Sequence, residues 1–305
     1  MSSPTDQSPD NLGRAIALTL TTIAVFGVQD AVSKLLVQDY SPFQITMMRY
    51  WGFALFALVM VARQGPIRQA FRSAMPKRQI LRGVLLMADI WCFAIALQTV
   101  PLGELQAIVI VYPLLVTVFA IPILGEKVGI FRFAAVGAGL VGAFVILRPG
   151  GVPMTWGVVF ALASASFYAI YIVLTRQVSK ADGAGTSLAY ASCVGLVLSS
   201  MVGVFFWQPM EWQALLMVVL VMITTCAGHG VMVYALGMAP ASVLQPFNYF
   251  SLPWAIVLSV VVFGHWIDPV SLMGAGNIVI AGLVVMARER KKKIPAVVVA
   301  PVGEA

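Results

Sequence analysis

Charge is what this sequence has least of: charged side chains form 10% of its 305 residues, against 60% hydrophobic ones. Soluble globular chains average roughly 25% charged and 45–50% apolar residues, which excludes a water-soluble domain of this size. Cysteine and histidine are few as well, at three and two residues. Cys92, Cys193 and Cys226 fall singly inside apolar runs without ligand spacing, so neither a disulfide nor a metal site is expected. No glycine-rich loop followed by Lys-Ser or Lys-Thr occurs, which argues against ATP as a direct energy source. No nucleophile with a partnered base points to an enzyme, and no cofactor is expected. Residues 1–13 are polar and lack the basic start and short apolar core of a cleavable signal peptide. The first apolar run is therefore expected to stay as an anchor.

What the sequence does contain is long apolar runs. A membrane-spanning helix needs about 20 predominantly apolar residues, and ten such spans can be laid down, at 14–36, 43–63, 80–99, 103–124, 130–148, 155–176, 186–206, 213–236, 241–263 and 269–287. Basic residues outnumber acidic ones, 19 to 12. Their distribution points to a membrane rather than to nucleic acid. With the N-terminus cytoplasmic, every Lys and Arg falls on the cytoplasmic side except Lys34, Arg148 and the intramembrane Arg49. Both termini are then cytoplasmic, which requires an even number of spans. The basic run from Arg288 to Lys293 is expected to meet anionic lipid.

The second half re-reads the first. Pro101, Leu105, Gln106, Gly125 and Gly137 return as Pro240, Leu244, Gln245, Gly264 and Gly276, each 139 positions on. Two similar units of five spans must insert upside down relative to each other, an arrangement used by secondary transporters with a site near the midplane. The expected fold is all-α and integral to the membrane: ten helices as two inverted repeats, 14–148 and 149–287, with cytoplasmic tails at 1–13 and 288–305.

The stretch from Leu97 to Gly103, Tyr112-Pro113-Leu114-Leu115, Leu124-Gly125-Glu126-Lys127-Val128 and the glycines at 137, 139 and 142 resemble the repeat of the drug/metabolite transporter superfamily. More narrowly, the chain is similar to ten-helix EamA-type exporters. It departs from their pattern in the second half, where His265 stands in place of the usual turn Glu. The resemblance implies a secondary carrier in a bacterial inner membrane that works by alternating access. Its nearest branch implies export of small amphipathic metabolites, amino acids including aromatic ones first, with drugs or other metabolites as the alternative. A channel-like facilitator is the rival from another class. One chain encloses a site by itself, so a functional monomer is expected, with lipids and a small-molecule substrate as its partners.

Polar groups inside spans are costly and usually face the bundle interior. Asp30 and Arg49 share a depth at about 1.5 Å rise per residue and are expected to pair; the alternatives are an outward-reaching Arg49 and an Asp30–Lys34 contact. Asp89, Trp91 and Gln98 share the third span. Tyr112 and Trp254 flank Pro113 and Pro253, whose missing N–H groups are expected to break helices four and nine at equivalent depths and free carbonyls toward the path. Gln245, Asn248 and Tyr249 precede the second break. His229 lies between Gly228 and Gly230. These eleven residues and the two proline breaks form the expected site, against the plainer reading of each as a packing group. The glycines at 137, 139, 142, 274, 276 and 282 are expected to mark close helix contacts.

Overall fold

The computed structural model describes residues 9–63, 65–125, 130–147, 155–239 and 244–291. The described elements are helical, as a chain without water along its length requires: only helices and closed barrels satisfy every backbone group in lipid. In chain order they are α1 Pro9–Asp39, α2 Pro42–Ala62, α3 Ile67–Ala70, α4 Pro76–Thr99, α5 Leu102–Val109, α6 Tyr112–Leu124, α7 Ile130–Ile146, α8 Trp156–Val178, α9 Ala184–Gly203, α10 Trp212–Met238, α11 Ser251–Phe263 and α12 Pro269–Lys291. A 3-10 turn, Gln245–Phe250, leads into α11. Among the described residues eight helical stretches are long and apolar enough to cross a membrane, with α5 and α6 counted as one stretch. Two shorter apolar helices, Phe133–Ile146 and Pro269–Val285, lie where the fifth and tenth spans are expected.

The sequence offset reappears in the helix ends. Helices stop at Asp39 and Val178, at Thr99 and Met238, and at Leu124 and Phe263; they start at Tyr112 and Ser251, and at Ile130 and Pro269. Every pair is 139 residues apart. Gly125 and Gly264 close α6 and α11 in the left-handed conformation at φ 68° and 66°, a backbone state that glycine adopts at no steric cost. The packing follows the same correspondence: α1 lies on α10 as α4 lies on α8, α6 on α8 as α11 on α1, and the equivalent pairs α2–α9 and α7–α12 pack on each other. The halves therefore interleave instead of sitting side by side.

Named contacts give the directions. Lys34 bonds Leu97 O and Val100 O, and Gln98 bonds Val37 O, so α1 and α4 finish at one end of the bundle. Asp89–Ser164 midway and Arg82–Thr175 towards the other end make α8 antiparallel to α4. Helix α8, the counterpart of α1, thus runs opposite to it. Apolar side chains such as Leu55, Ile130 and Val261 stand 67–76% exposed on the outer faces. In water these would be aggregation-prone patches; against lipid tails they are the ordinary surface.

Two expectations need correction. The span 241–263 is not one α-helix: residues 240–243 lie outside the described part, 245–250 form the 3-10 turn, and α-geometry begins at Ser251. Of the six glycines, 139, 142, 274 and 282 sit against neighbouring elements, but a Cβ at Gly137 or Gly276 would meet nothing within 4 Å. The pseudo-equivalent pair that helped to reveal the repeat points away from the helix contact.

Candidate functional site

Asp30 of α1, Arg49 of α2, Asp89 of α4 and His229 of α10 converge midway along the bundle. Each is half-buried among the packed helices. The Arg49 guanidinium acts through space on Asp30, on Asp89 and on His229, and its Nε is buried without a hydrogen-bond partner. Asp30 and Arg49 interact electrostatically rather than as a hydrogen-bonded pair. Lys34, the alternative partner of Asp30, is instead engaged by the carbonyls that end α4. Asp89 accepts a 2.6 Å hydrogen bond from Ser164 of α8. The His229 ring packs 5.4 Å from Phe26 and 4.8 Å from Phe53, and Trp91, edge-on to Phe43 at 5.5 Å, has a buried indole N–H without a partner.

Aromatic rings pack beside Asp89. Tyr112 meets Tyr168 edge to face at 4.9 Å, Tyr168 stacks on Tyr171 at 5.7 Å, and the Arg82 guanidinium lies 5.3 Å above Tyr171. Tyr112 is hydrogen-bonded to Asn248, and Gln106 Nε2 donates to Ser251 Oγ at 2.8 Å, so the two interrupted segments are bonded to each other at their breaks. Those breaks precede the prolines. The first lies at Ile110–Val111 and the second at the junction of the 3-10 turn with α11. Pro113 and Pro253 occupy the first turn of the next helix, where the backbone N–H groups have no intrahelical acceptor and proline is tolerated.

Other expected residues lie further out. Gln98, exposed, donates to Val37 O at 3.2 Å and lines an open groove of about 440 Å³ with Asp39, Tyr40, Trp207 and Gln208. The Trp254 indole donates to Ala24 O at 3.0 Å across Gly27, tying α11 to α1. Tyr249 is buried against Gly282, with its hydroxyl unpartnered. The side chain of Gln245 lies outside the described residues. The expected site thus divides into a central group, Asp30, Arg49, Asp89, Trp91, Tyr112, His229 and Asn248, and a peripheral one.

Two polar clusters were not foreseen. At the end where α4 begins, Arg82 is buried and bonds Ser187 O and Thr175 Oγ1, and Asp182 receives Ser73 Oγ, the Ala74 N–H and Gln79 Nε2. Burial alone would raise the Asp182 pKa; these hydrogen bonds and the nearby Arg82 more than offset it and hold the group below its ordinary value, so it stays a carboxylate. At the opposite end, Glu104 meets His265 at 2.8 Å beside Lys34. Arg82 and Lys34 had read as flanking charges, and the only signal in Glu104 was a carboxylate at the start of an apolar run.

The EamA-like transporter family matches the chain twice, over residues 13–148 and again over 155–288, one match for each half. A riboflavin transporter of Vibrio cholerae is 26% identical over 278 residues, covering 90% of this chain and 93% of its own. One from Rhizobium johnstonii is 27% identical over 292 residues, covering 92% and 94%. An S-adenosylmethionine uptake transporter of Rickettsia prowazekii is 21% identical over 276 residues, covering 89% and 92%. A solved crystal structure, 20% identical, superposes with a TM-score of 0.63 over 92% of this chain and 98% of that one, a likeness of fold.

Proposed function

Since the chain belongs to the EamA-like transporter family and is a membrane transporter rather than an enzyme, we propose that it is a secondary carrier for a planar nitrogen-heterocyclic metabolite of the riboflavin type. The observation that carries this reading is the incompletely bonded Arg49 acting on Asp30 and Asp89, with an aromatic wall of Tyr112, Tyr168 and Tyr171 beside Asp89. Stacked rings suit a flat heterocycle, and the buried charge with a free N–H suits its carbonyl edge. Riboflavin and S-adenosylmethionine, named for the relatives, both join such a ring to a flexible polar chain. A free amino acid would leave most of the aromatic wall unused, so the amino-acid class expected from the sequence ranks below heterocycles. Uptake is the inferred direction, as the S-adenosylmethionine relatives are named for it.

In this reading ten spans form two inverted repeats in an inner membrane, with both termini cytoplasmic and one chain sufficient. The recurrence of helix ends at one offset, the opposed directions of α1 and α8 and the double family match support it. Alternating access is then a rearrangement of interleaved halves about the bonded breaks at Tyr112–Asn248 and Gln106–Ser251.

Competition decides the substrate class. In proteoliposomes holding the purified chain, excess unlabelled riboflavin should suppress entry of labelled riboflavin. S-Adenosylmethionine should suppress it less, and phenylalanine should leave it unchanged. Saturable uptake of phenylalanine without uptake of riboflavin would reverse the ranking.

A further inference from the structure

The offset that relates the two halves also relates the bonds at the two ends of the bundle. At the end where α1 and α4 finish, Gln44 in the first turn of α2 holds the backbone of Gln208, in the segment leading into α10. Gln44 Nε2 donates to Gln208 O at 2.8 Å, and its Oε1 accepts the Gln208 N–H at 3.1 Å. Gln208 Nε2 donates in turn to Asp39 O at 2.9 Å, and the Glu211 N–H donates to the Tyr40 hydroxyl oxygen at 3.2 Å. At the other end Asp182, just before α9, accepts Ser73 Oγ and the Ala74 N–H from the segment leading into α4, and Gln79 Nε2 from α4 itself. Helices α1, α2 and α4 of one half correspond to α8, α9 and α10 of the other. Each end therefore joins the first junction of one half to the second junction of its counterpart. An aromatic pair accompanies each contact: Trp51 stacks on Trp207 at 6.3 Å, and Tyr190 lies on Phe71 at 5.7 Å. Trp51 and Tyr190 are themselves 139 positions apart.

We propose that these two contacts are the outer and inner gates of the carrier, and that the inner one is the tighter, so that the resting chain opens outward; this rests on the carrier reading and its topology. Alternating access requires the two ends to part in turn, and a contact repeated by the inverted halves is built to do so.

The gates match in place and differ in chemistry. At the inner one Gln79, Arg82 and Asp182 are buried, and the Asp182 carboxylate makes charge-assisted hydrogen bonds, about twice as strong as neutral ones. Arg82 adds a bond to Ser187 O. At the outer one the bonds join neutral groups, and Asp39, Gln208 and Glu211 are exposed, so water competes for them. The further bonds between halves, Glu104 with His265 at the outer end and Gln177 Nε2 to Ile123 O at the inner, tie α5 and α6 instead of these junctions. A gate for which water competes opens first. Substrate outside then meets an open carrier, as uptake needs.

Spin-label distances by double electron–electron resonance, on the full chain in lipid nanodiscs without substrate, test this. Labels on Gln38→Cys and Pro209→Cys span the outer gate, and labels on Lys77→Cys and Lys180→Cys span the inner one, with Cys92, Cys193 and Cys226 replaced by Ala. With both gates intact, the outer pair should show the larger long-distance fraction. Asp182→Asn, which keeps the shape and loses the charge, should raise the long-to-short ratio of the inner pair about tenfold or more and lower that of the outer pair. Gln44→Ala should do the reverse, raising the outer ratio and lowering the inner. A larger long-distance fraction at the inner pair with both gates intact, an unchanged inner pair in Asp182→Asn, or widening of both ends by either variant would each overturn the assignment. Because no substrate is present, such a result leaves the substrate reading intact, and failure to carry riboflavin leaves this one intact.

Discussion

Arg49→Gln is expected to reduce the initial rate of riboflavin uptake into proteoliposomes by about 100-fold or more, while the protein stays folded. The guanidinium is the positive charge acting on Asp30, Asp89 and His229, and its Nε is left unbonded by the protein. Losing one partner of a buried charge cluster typically costs ~3–5 kcal/mol, or ~10²–10⁴ in an equilibrium. Here the cost falls on binding, because the half-buried carboxylates can be hydrated or take protons when the cation is gone. Arg49→Lys keeps the charge but not the planar fork and should retain partial activity. Thermal melting in detergent checks the fold. Near-normal uptake by Arg49→Gln would remove Arg49 from the site.

Gly142→Ile is expected to lower the melting temperature sharply or prevent folding, whereas Gly137→Ile leaves it nearly unchanged. Helices α7 and α12 cross with Gly142 against Gly274: a Cβ at residue 142 would lie 2.5 Å from Gly274 O, and one at residue 274 would lie 2.6 Å from Gly142 O. Nearby, Asn277 Nδ2 donates to Ala138 O at 2.7 Å. Overpacking costs about 1–3 kcal/mol even where side chains can move, and here the obstacle is backbone. Between lipid-embedded helices such close van der Waals contact is the main source of association. A Cβ at residue 137 meets nothing within 4 Å, so the two substitutions, one turn and a half apart on one helix, separate helix contact from composition. Equal melting temperatures for the two variants would refute the crossing geometry.

The sequence carried the architecture further than the chemistry. Spacing alone located the repeat, because a helix end needs only local signals: a left-handed glycine at 125 and 264, or a proline in a first turn at 113 and 253. The helix break was legible as a region but two to three residues off, since the proline marks the first turn of the next helix. Central residues such as Asp30, Arg49 and Asp89 were readable because each is conspicuous inside an apolar run. Contacts between distant segments were not. Glu104 and His265 are 161 residues apart, and nothing near either one names the other. Arg82 read as a flank charge because hydropathy sees the end of a span and not the Thr175 and Tyr171 side chains that receive it. Trp254 stood out as an aromatic beside a break, yet its N–H belongs to Ala24 O, a partner that only helix packing supplies.

Riboflavin counterflow is the most direct test of a carrier with one central heterocycle site. Vesicles loaded with unlabelled riboflavin and diluted into labelled riboflavin should take up label several-fold faster than empty vesicles, because the loaded carrier returns with cargo, and Arg49→Gln should abolish the difference. Label entry that is linear in concentration and indifferent to internal riboflavin would contradict both the carrier mechanism and the site.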